Sequence, residues 1–502
     1  MAAVIPLPAK AAETKGLLYW MERVLRERER VLAAPEEEAV HDLRVALRRC
    51  RSLARVFEEI DPHPAWRGLR KTSRKLFRSL GAIRDGHVQE AWVLQLSAPD
   101  DLLRAQLLYA LKTGRERLER AAKRSAARFD EKAWAGLASA LRPRLKLLTV
   151  DGPAAQCLAL ERMEEAAELH RRALRTEKSK PWHALRIGVK HFRYVVENLL
   201  PKRHVTWGPD LKRVQDLLGD VHDLDVLLET VRATADSSAL ARWQETIDRQ
   251  RTERIATYRQ LTLGATSLWS QWRLGLPTNG QLAVASEARL RATARAADPR
   301  LRKSAGTARL AKTIFKQLQR AAASPFLKEP KTEIVLKAAG LLHGIEPKIS
   351  HGSAHKEARK FLSALPAPPG WTAEQWQLLA LAIRYHRGAA PSTDGRRFAK
   401  LEPVHQAKLL CIAGILRIAR AFRKAAIESG ARVRVEGSSD SIALSIEGFA
   451  EGFTSPKGLT VGRQMLEGAL GKSVTFRPLE KRMLTLPLEF PAAKLEPVAI
   501  TE

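Results

Sequence analysis

The sequence is poor in cysteine and in aromatic residues, and it has no long apolar run. Its three cysteines lie far apart and form no CxxC pair, so we expect neither a disulfide framework nor a zinc site. The apolar stretch LLCIAGILRIARAF is interrupted by Arg417 well short of the length that spans a membrane. The opening MAAVIPLPAK does not have the pattern of a signal peptide. These absences predict a cytoplasmic protein, in a reducing compartment and without membrane insertion.

Acidic residues are also scarce relative to basic ones. The 502 residues include 86 Lys and Arg against 55 Asp and Glu, which gives a formal net charge of +31. Hydrophobic residues make up 45% of the chain, enough for a core in each of two or three units. The positive electrostatic field of such a protein attracts polyanions. The candidates are nucleic acid, an anionic membrane surface and inorganic polyphosphate. Composition does not choose among them.

Helical spacing dominates most of the chain. Apolar residues recur at helical spacing from about residue 14 to 272 and again from 301 to 429. A domain junction is predicted between these two regions, in the segment LGLPTNGQLAVASEARLRATARAADPR. The last part alternates β-branched and polar residues in ARVRVEGSSDSIALSIEGF and SVTFRPLEKRMLTLPLEF, which predicts a small antiparallel sheet over 431–490. The predicted fold class is mainly α: tandem-duplicated helical bundles, then a second all-helical domain that ends in this sheet.

The N-terminal helical region contains an internal repeat. VHDLRVALRRCRSLARVF reappears as WHALRIGVKHFRYVVENL, so that His41 corresponds to His183 and Arg48 to Lys190. Further on, LGAIRDGHV reappears as LGDVHDLDV. The repeat predicts a tandem duplication with one helical bundle per copy. We expect the copies at about 14–150 and 151–275 within a first domain, 1–290, followed by a second domain, 300–502.

Each copy places a row of basic residues beside a row of apolar ones. Positions 41, 44, 48, 51 and 55 are all basic and share one face of a helix. One position earlier, an apolar row from Val40 to Phe57 must pack into a core. Copy two repeats the design until Glu197 ends its basic row. A solvated helix interleaves acids at i+4 to offset its cations, and these rows have almost none, so we interpret them as a binding surface.

The paired motifs HDLRVALRR…LGAIRD and HALRIGVKHFRY…LKRVQDLLGDVHDLD resemble the CHAD family, the conserved histidine α-helical domain, over roughly the first 290 residues. The resemblance implies two helical bundles related by a pseudo-twofold axis, with a basic channel between them that binds inorganic polyphosphate. The residues that would line this channel are His41, Arg44, Arg48, Arg51, Arg74, Arg78, His183, Arg186, Lys190, Arg193 and Lys212. One position departs from the pattern, since His87 stands where the second copy has Asp225, and this would weaken a salt bridge that orients nearby arginines.

Polyphosphate suits such a surface because it has no bases or sugars to read. Recognition rests on charge and geometry, which Arg supplies as bidentate charge-assisted hydrogen bonds. No aromatic platform is apparent beside the basic rows. The histidines are expected either to donate to phosphate or to satisfy a buried carbonyl. Nearby carboxylates are interpreted as partners that fix Arg rotamers rather than as a metal site or an acid catalyst: Asp85, Asp216, Asp220, Asp223 and Asp225.

The second half carries a different resemblance. LLHGIEPKISHGSAHKEARKFL and LALAIRYHRG resemble the helical C-terminal region of the exopolyphosphatase and guanosine-pentaphosphatase family, itself related to HD-type phosphohydrolases, over about 301–490. An active HD site holds metal ions on a His-Asp pair and further His and Asp residues. Here Gly344 stands where that Asp belongs, so we expect neither metal nor catalysis. A candidate second anion site remains, with helix-packing polar groups as the alternative: His351, His355, Lys356, Arg384, His386 and Arg387.

The sequence thus predicts a non-enzymatic protein that binds inorganic polyphosphate and needs no cofactor. Its expected role is targeting to polyphosphate granules or regulation of polyphosphate metabolism. Two alternatives stay open at this point. One is a phosphohydrolase that acts on polyphosphate or nucleotides through the second half, and the other is a nucleic-acid-binding protein. Chain-length preference and oligomeric state cannot be predicted from these patterns.

Overall fold

The computed structural model describes residues 16–321, 323–347, 353–450 and 457–479. Of the described residues, 75% are helical, which confirms the mainly α prediction. The helices of the first copy are α1 (Leu17–Ala33), α2 (Glu37–Glu58), α3 (Pro64–Thr72), α4 (Arg74–Leu96), α5 (Leu102–Ala127) and α6 (Glu131–Leu141). Those of the second copy are α7 (Pro153–Ala173), α8 (Ser179–Leu199), α9 (Pro201–Thr234) and α10 (Ser237–Thr262). The later helices are α11 (Leu268–Leu274), α12 (Asn279–Ala297), α13 (Leu301–Arg320), α14 (Pro330–Leu342), α15 (Ala354–Ser363), α16 (Ala373–Tyr385), α17 (Pro403–Lys424) and α18 (Lys457–Leu470).

The first five helices of copy one have counterparts in copy two. Helices α1 and α2 match α7 and α8, α3 with α4 matches the single long helix α9, and α5 matches α10. Both α5 and α10 begin at an Asp N-cap, Asp101 and Asp236, whose carboxylate accepts from the first-turn amides. Across the copies α2 packs on α8 and α4 packs on α9. Each of these contacts joins helices that occupy the same place in their own copy, as a pseudo-twofold relation requires.

The apolar rows form the core between these helices. On α2 the buried row is Val40, Leu43, Leu47, Cys50, Ala54 and Phe57, and on α8 it is Trp182, Leu185, Val189, Phe192, Val196 and Leu199. All twelve side chains belong to one hydrophobic cluster. The prediction that these rows are buried is confirmed. The basic rows, one residue further along each helix, are thereby held at the edge of the core.

Chain contacts divide the protein into two compact units. One comprises residues up to Ala305 together with Ile334–Gly388, and the other comprises Gly306–Glu333 together with residues from Ala389 onward. The predicted boundary between 290 and 300 stays a prediction. Among the described residues, no helix is both long and apolar enough to cross a bilayer. Arg417, which interrupts the most apolar stretch, is buried and donates to the carbonyl of Ala389 at 3.1 Å.

The small sheet is mixed, so the prediction of an antiparallel sheet was wrong. Strands β1 (Val433–Gly437) and β2 (Ser441–Glu447) form an antiparallel pair, but β3 (Ser473–Leu479) runs parallel to β2. Parallel neighbours need a crossover connection, and α18 lies between β2 and β3 in the chain. Alternation alone carries no information about strand direction. The predicted strand residues from 480 to 490 lie outside the described part of the chain.

Candidate anion-binding site

The basic rows of the two copies meet at Lys190. Burial, and after it the neighbouring cations Arg186, Arg48 and Arg44, lower the pKa of this lysine to about 8, while Asp85 opposes them. Arg44 and Arg48 come from α2 and the other two cations from α8. On Arg48 the partly exposed guanidinium keeps a buried Nε that has no hydrogen-bond partner among the described residues. The place where α2 crosses α8 is therefore a concentration of positive charge.

Two arginines of copy one are held in place by a phenylalanine beneath them. The guanidinium carbons of Arg44 and Arg51 lie 5.9 and 5.0 Å from the ring centre of Phe77 on α4. Arg51 also donates from Nη1 to the carbonyl of Arg70 at 2.5 Å and to Oγ of Ser73 at 3.0 Å. These contacts order both side chains before any ligand arrives. Phe77 was missed in the sequence because it lies outside both rows.

Copy two presents a histidine pair at the corresponding end of its row. The rings of His183 and His222 lie 4.5 Å apart, with 3.2 Å between their Nδ1 atoms. Burial, and after it the charge of Arg186, lower the pKa of His222 to about 4. The pKa of His183 is lowered for the same reasons. Both rings are therefore neutral at pH 7 in the unliganded protein.

The carboxylates singled out in the sequence lie beside cations. Asp85 is 3.6 Å from Arg44, and Lys212 is 2.6 Å from Asp216. Two further pairs lie on α9 and α10, Asp225 with Arg251 at 2.9 Å and Asp220 with Arg254 at 3.5 Å. Burial raises the pKa of Asp223 to about 6 although Arg186 opposes the shift. His87, the departure from the family pattern, lies 3.6 Å from Glu37.

The other predicted residues are more open. His41, Arg74 and Arg78 are exposed. Arg74 and Arg78 lie close enough to Arg51 to lower its pKa, although burial is the larger cause. Arg193 is partly exposed and keeps an Nε without a hydrogen-bond partner among the described residues. Both copies therefore contribute cationic groups that a ligand can reach.

Polyanion affinity is expected to fall as the pH rises through 8, because Lys190 then loses its proton. A single proton linked to binding weakens affinity by up to about tenfold per pH unit. Folding responds with the opposite sign: a lysine whose folded pKa lies below 10.5 makes the fold more stable as the pH rises from 8 toward 10.5. Titrations at pH 7, 8 and 9 check this. Lys190→Arg should flatten the profile, and an equally steep profile in that variant would contradict the assignment.

Three histidines in the described part of the second half are buried. His343 and His386 are buried with ring centres 5.5 Å apart, and each Nδ1 donates to a carbonyl of its own helix, Gly340 at 2.8 Å and Ile383 at 2.7 Å. His355 is also buried and lies against Gly388. These contacts agree with the helix-packing alternative for the histidines.

The cations of that candidate second site differ in exposure. Lys356 is exposed although its neighbour His355 is buried. Arg384 and Arg387 are partly exposed, and Arg387 lies 3.7 Å from Glu346. His351 lies outside the described residues. His355 thus lies against Gly388, the chain neighbour of Arg387, while Lys356 on the same helix as His355 is exposed.

Gly344 has no room for a side chain. A Cβ at this position would lie 2.2 Å from Oδ2 of Asp298 and 2.2 Å from Oγ of Ser304. The Asp298 carboxylate is buried, and Arg300 donates its amide to the other oxygen at 2.8 Å. The space that an aspartate at 344 would need is therefore already filled by the carboxylate of Asp298. Within the described ranges, no three His, Cys, Asp or Glu side chains are arranged to hold a metal ion.

Comparisons with known proteins match two separate parts of the chain. Residues 19–232 match the family model of the CHAD domain, and residues 300–463 match that of the Ppx/GppA phosphatase, domain III. The chain therefore contains a CHAD domain followed by a Ppx/GppA-type domain III. Both are families related to polyphosphate. A crystal structure of the CHAD domain from the plant Ricinus communis is 22% identical, with a TM-score of 0.36, and the match covers 54% of this chain and 96% of that one.

Proposed function

We propose that the protein binds inorganic polyphosphate where α2 crosses α8 and does not hydrolyse it. The observation that carries this proposal is the meeting of Lys190 and Arg186 with Arg44 and Arg48. Positive charges close enough to lower the pKa of Lys190 repel one another in the empty protein. A polyanion lying between them removes that repulsion. Each charge-assisted hydrogen bond contributes about 1.5–3 kcal/mol, so two facing rows supply enough contacts for tight binding.

The contacts favour a ligand without bases. Arg44 and Arg51 lie over the ring of Phe77, and Lys190 lies over the ring of Tyr194, so each of these rings already contacts a cation of the basic rows. Proteins that bind single-stranded nucleic acid without sequence preference combine a basic groove with open aromatic platforms. A bare phosphate chain needs only the cations. The relation of both domain families to polyphosphate points the same way.

A binding role fits the second half better than catalysis. Asp298 and Ser304 fill the place where an HD aspartate at 344 would stand. The role we propose is targeting to polyphosphate granules or regulation of polyphosphate metabolism, in the cytoplasm. The Ppx/GppA-type domain would then serve as a partner module of the CHAD domain.

The test is a calorimetric titration of the full chain with polyphosphate of defined length, with duplex DNA as competitor at one fixed salt concentration. We expect polyphosphate to bind and DNA of equal total charge to displace it poorly. Phosphate release is measured in the same samples with and without divalent cations. Stronger binding of DNA, or metal-dependent phosphate release, would overturn the proposal.

A further inference from the structure

The crossing of α2 and α8 is asymmetric at one pair of contacts. Positions 49 and 191 correspond in the repeat, 142 residues apart, and so do positions 55 and 197. The pseudo-twofold relation therefore converts a contact between residues 49 and 197 into one between residues 191 and 55. Both contacts exist, as Arg49 donating to the carboxylate of Glu197 and as Arg55 donating to Nε2 of His191. One contact contains its own anion, and the other does not.

The surroundings of the Arg55 contact are also cationic. The pKa of His191 is lowered to about 4 by burial, and then by Arg55, Arg162, Lys190 and Arg70. The two acids nearby already have partners. Glu58 accepts from Arg70, and Glu59 accepts from Arg162 at 3.2 Å. Arg55 itself is exposed, so its remaining donors are open to a ligand.

We propose that Arg55 and His191, flanked by Arg70 and Arg162, form a subsite for a phosphate dianion, and that its occupant is the terminal phosphoryl group of a polyphosphate chain. The pseudo-twofold relation places Arg55 where the other contact has Glu197, so this contact lacks the carboxylate that balances the charge of Arg49 in the other. Arg55 continues the row of Arg48 and Arg51, so a chain lying along that row reaches Arg55 with its end. This inference rests on the proposed function and adds that one end of the bound polyphosphate chain lies at Arg55.

The chemistry of a chain end suits these residues. A phosphoryl group at an end, like a phosphate monoester, carries roughly −1.5 to −2 at pH 7 and three acceptor oxygens. Arg55 can donate to two of these oxygens at once. The imidazole of His191 now accepts from Arg55, and a dianion beside it favours the protonated ring, which donates instead. Interior units of the chain lack the extra charge that this change requires.

The test compares ligands with and without ends on the full chain. Linear tripolyphosphate has two ends and cyclic trimetaphosphate has none, while inorganic phosphate probes the subsite alone. For Arg55→Glu we expect at least tenfold weaker binding of tripolyphosphate and little change for trimetaphosphate. Arg120→Glu is the matched control, because its side chain is 63% exposed and its ion pair, with Glu116 at 3.5 Å, lies within α5. Arg55→Gln repeats the measurement without adding a negative charge, and circular dichroism confirms that each variant is folded.

A second readout follows the imidazole itself. The NMR pH titration of His191 should shift to a higher pKa when tripolyphosphate is added and should not shift with trimetaphosphate. If inorganic phosphate produces the same shift and competes with tripolyphosphate, the subsite takes free phosphate as well as chain ends. Equal effects of Arg55→Glu on the linear and the cyclic ligand would overturn the subsite. Long-chain binding that persists in that case leaves the proposed function standing, whereas no binding of any polyphosphate refutes both.

Discussion

Reversing the charge at both Arg48 and Lys190 is expected to abolish polyphosphate binding at moderate salt. Each single change, Arg48→Glu or Lys190→Glu, removes a contact of about 1.5–3 kcal/mol and places a carboxylate among the phosphates. Affinity should therefore fall at least tenfold in either single variant. Because the two residues come from different copies and meet at the crossing of α2 and α8, the double variant loses the ligand on both sides. Isothermal titration with one polyphosphate length measures all three variants.

The same variants separate a defined site from diffuse attraction. Arg120→Glu changes the net charge equally on an exposed face of α5 and should alter affinity only slightly. The melting temperature of Lys190→Glu is expected to hold or rise, because Lys190 lies among like charges in the empty protein. A loss of affinity in Arg120→Glu as large as in Arg48→Glu would show that binding is diffuse, and the site between the copies would have to be abandoned.

Restoring the aspartate of an HD site at position 344 is expected to destabilise the protein without creating an enzyme. In Gly344→Asp the new side chain overlaps Asp298 and Ser304, and it buries a second carboxylate against the first. A buried uncompensated charge costs about 3–5 kcal/mol. Gly344→Ala adds only the overlap, which typically costs about 1–3 kcal/mol. Thermal and denaturant unfolding should rank the variants in this order.

Gly136 on α6 provides the comparison for this prediction. It is exposed, and a Cβ there meets no atom within 4 Å, so Gly136→Asp should leave the stability nearly unchanged. Phosphate release in the presence of divalent cations is measured in parallel. A Gly344→Asp protein that melts like the parent and gains metal-dependent release would show that this region retains an HD site, and the binding-only role of the second half would be refuted.

The helices and their buried faces follow directly from the sequence. The apolar row of α2 is regular over 18 residues and recurs in α8, so its burial could be predicted from periodicity alone. The position of each basic row at the edge of the core could also be predicted, because the basic residues lie one position after the apolar ones. The crossing of α2 on α8 needs the three-dimensional arrangement, although the repeat made a contact between the copies the natural expectation. Lys190 could be predicted as a ligand-binding residue from its position in the basic row of copy two.

Features that depend on register between helices could not be predicted. Phe77 is an ordinary apolar residue of α4 until Arg44 and Arg51 are seen to lie over it. The contact of Arg55 with His191 joins residues 136 positions apart, and His191 lies outside the basic row. The absence of Asp at 344 was visible, but the carboxylate that fills its place belongs to a residue far back in the chain, Asp298. The direction of β3 depends on its connection through α18, which alternation does not encode.

A crystal structure of the full chain with bound polyphosphate of defined length would test the site between the two copies most directly. We expect a continuous row of phosphates between α2 and α8, within hydrogen-bond distance of Arg48 on one side and Lys190 on the other. One end of that row should contact Arg55 and His191. Phosphates that contact only one copy, or that lie on other basic surfaces and leave Lys190 without contact, would contradict binding at this crossing.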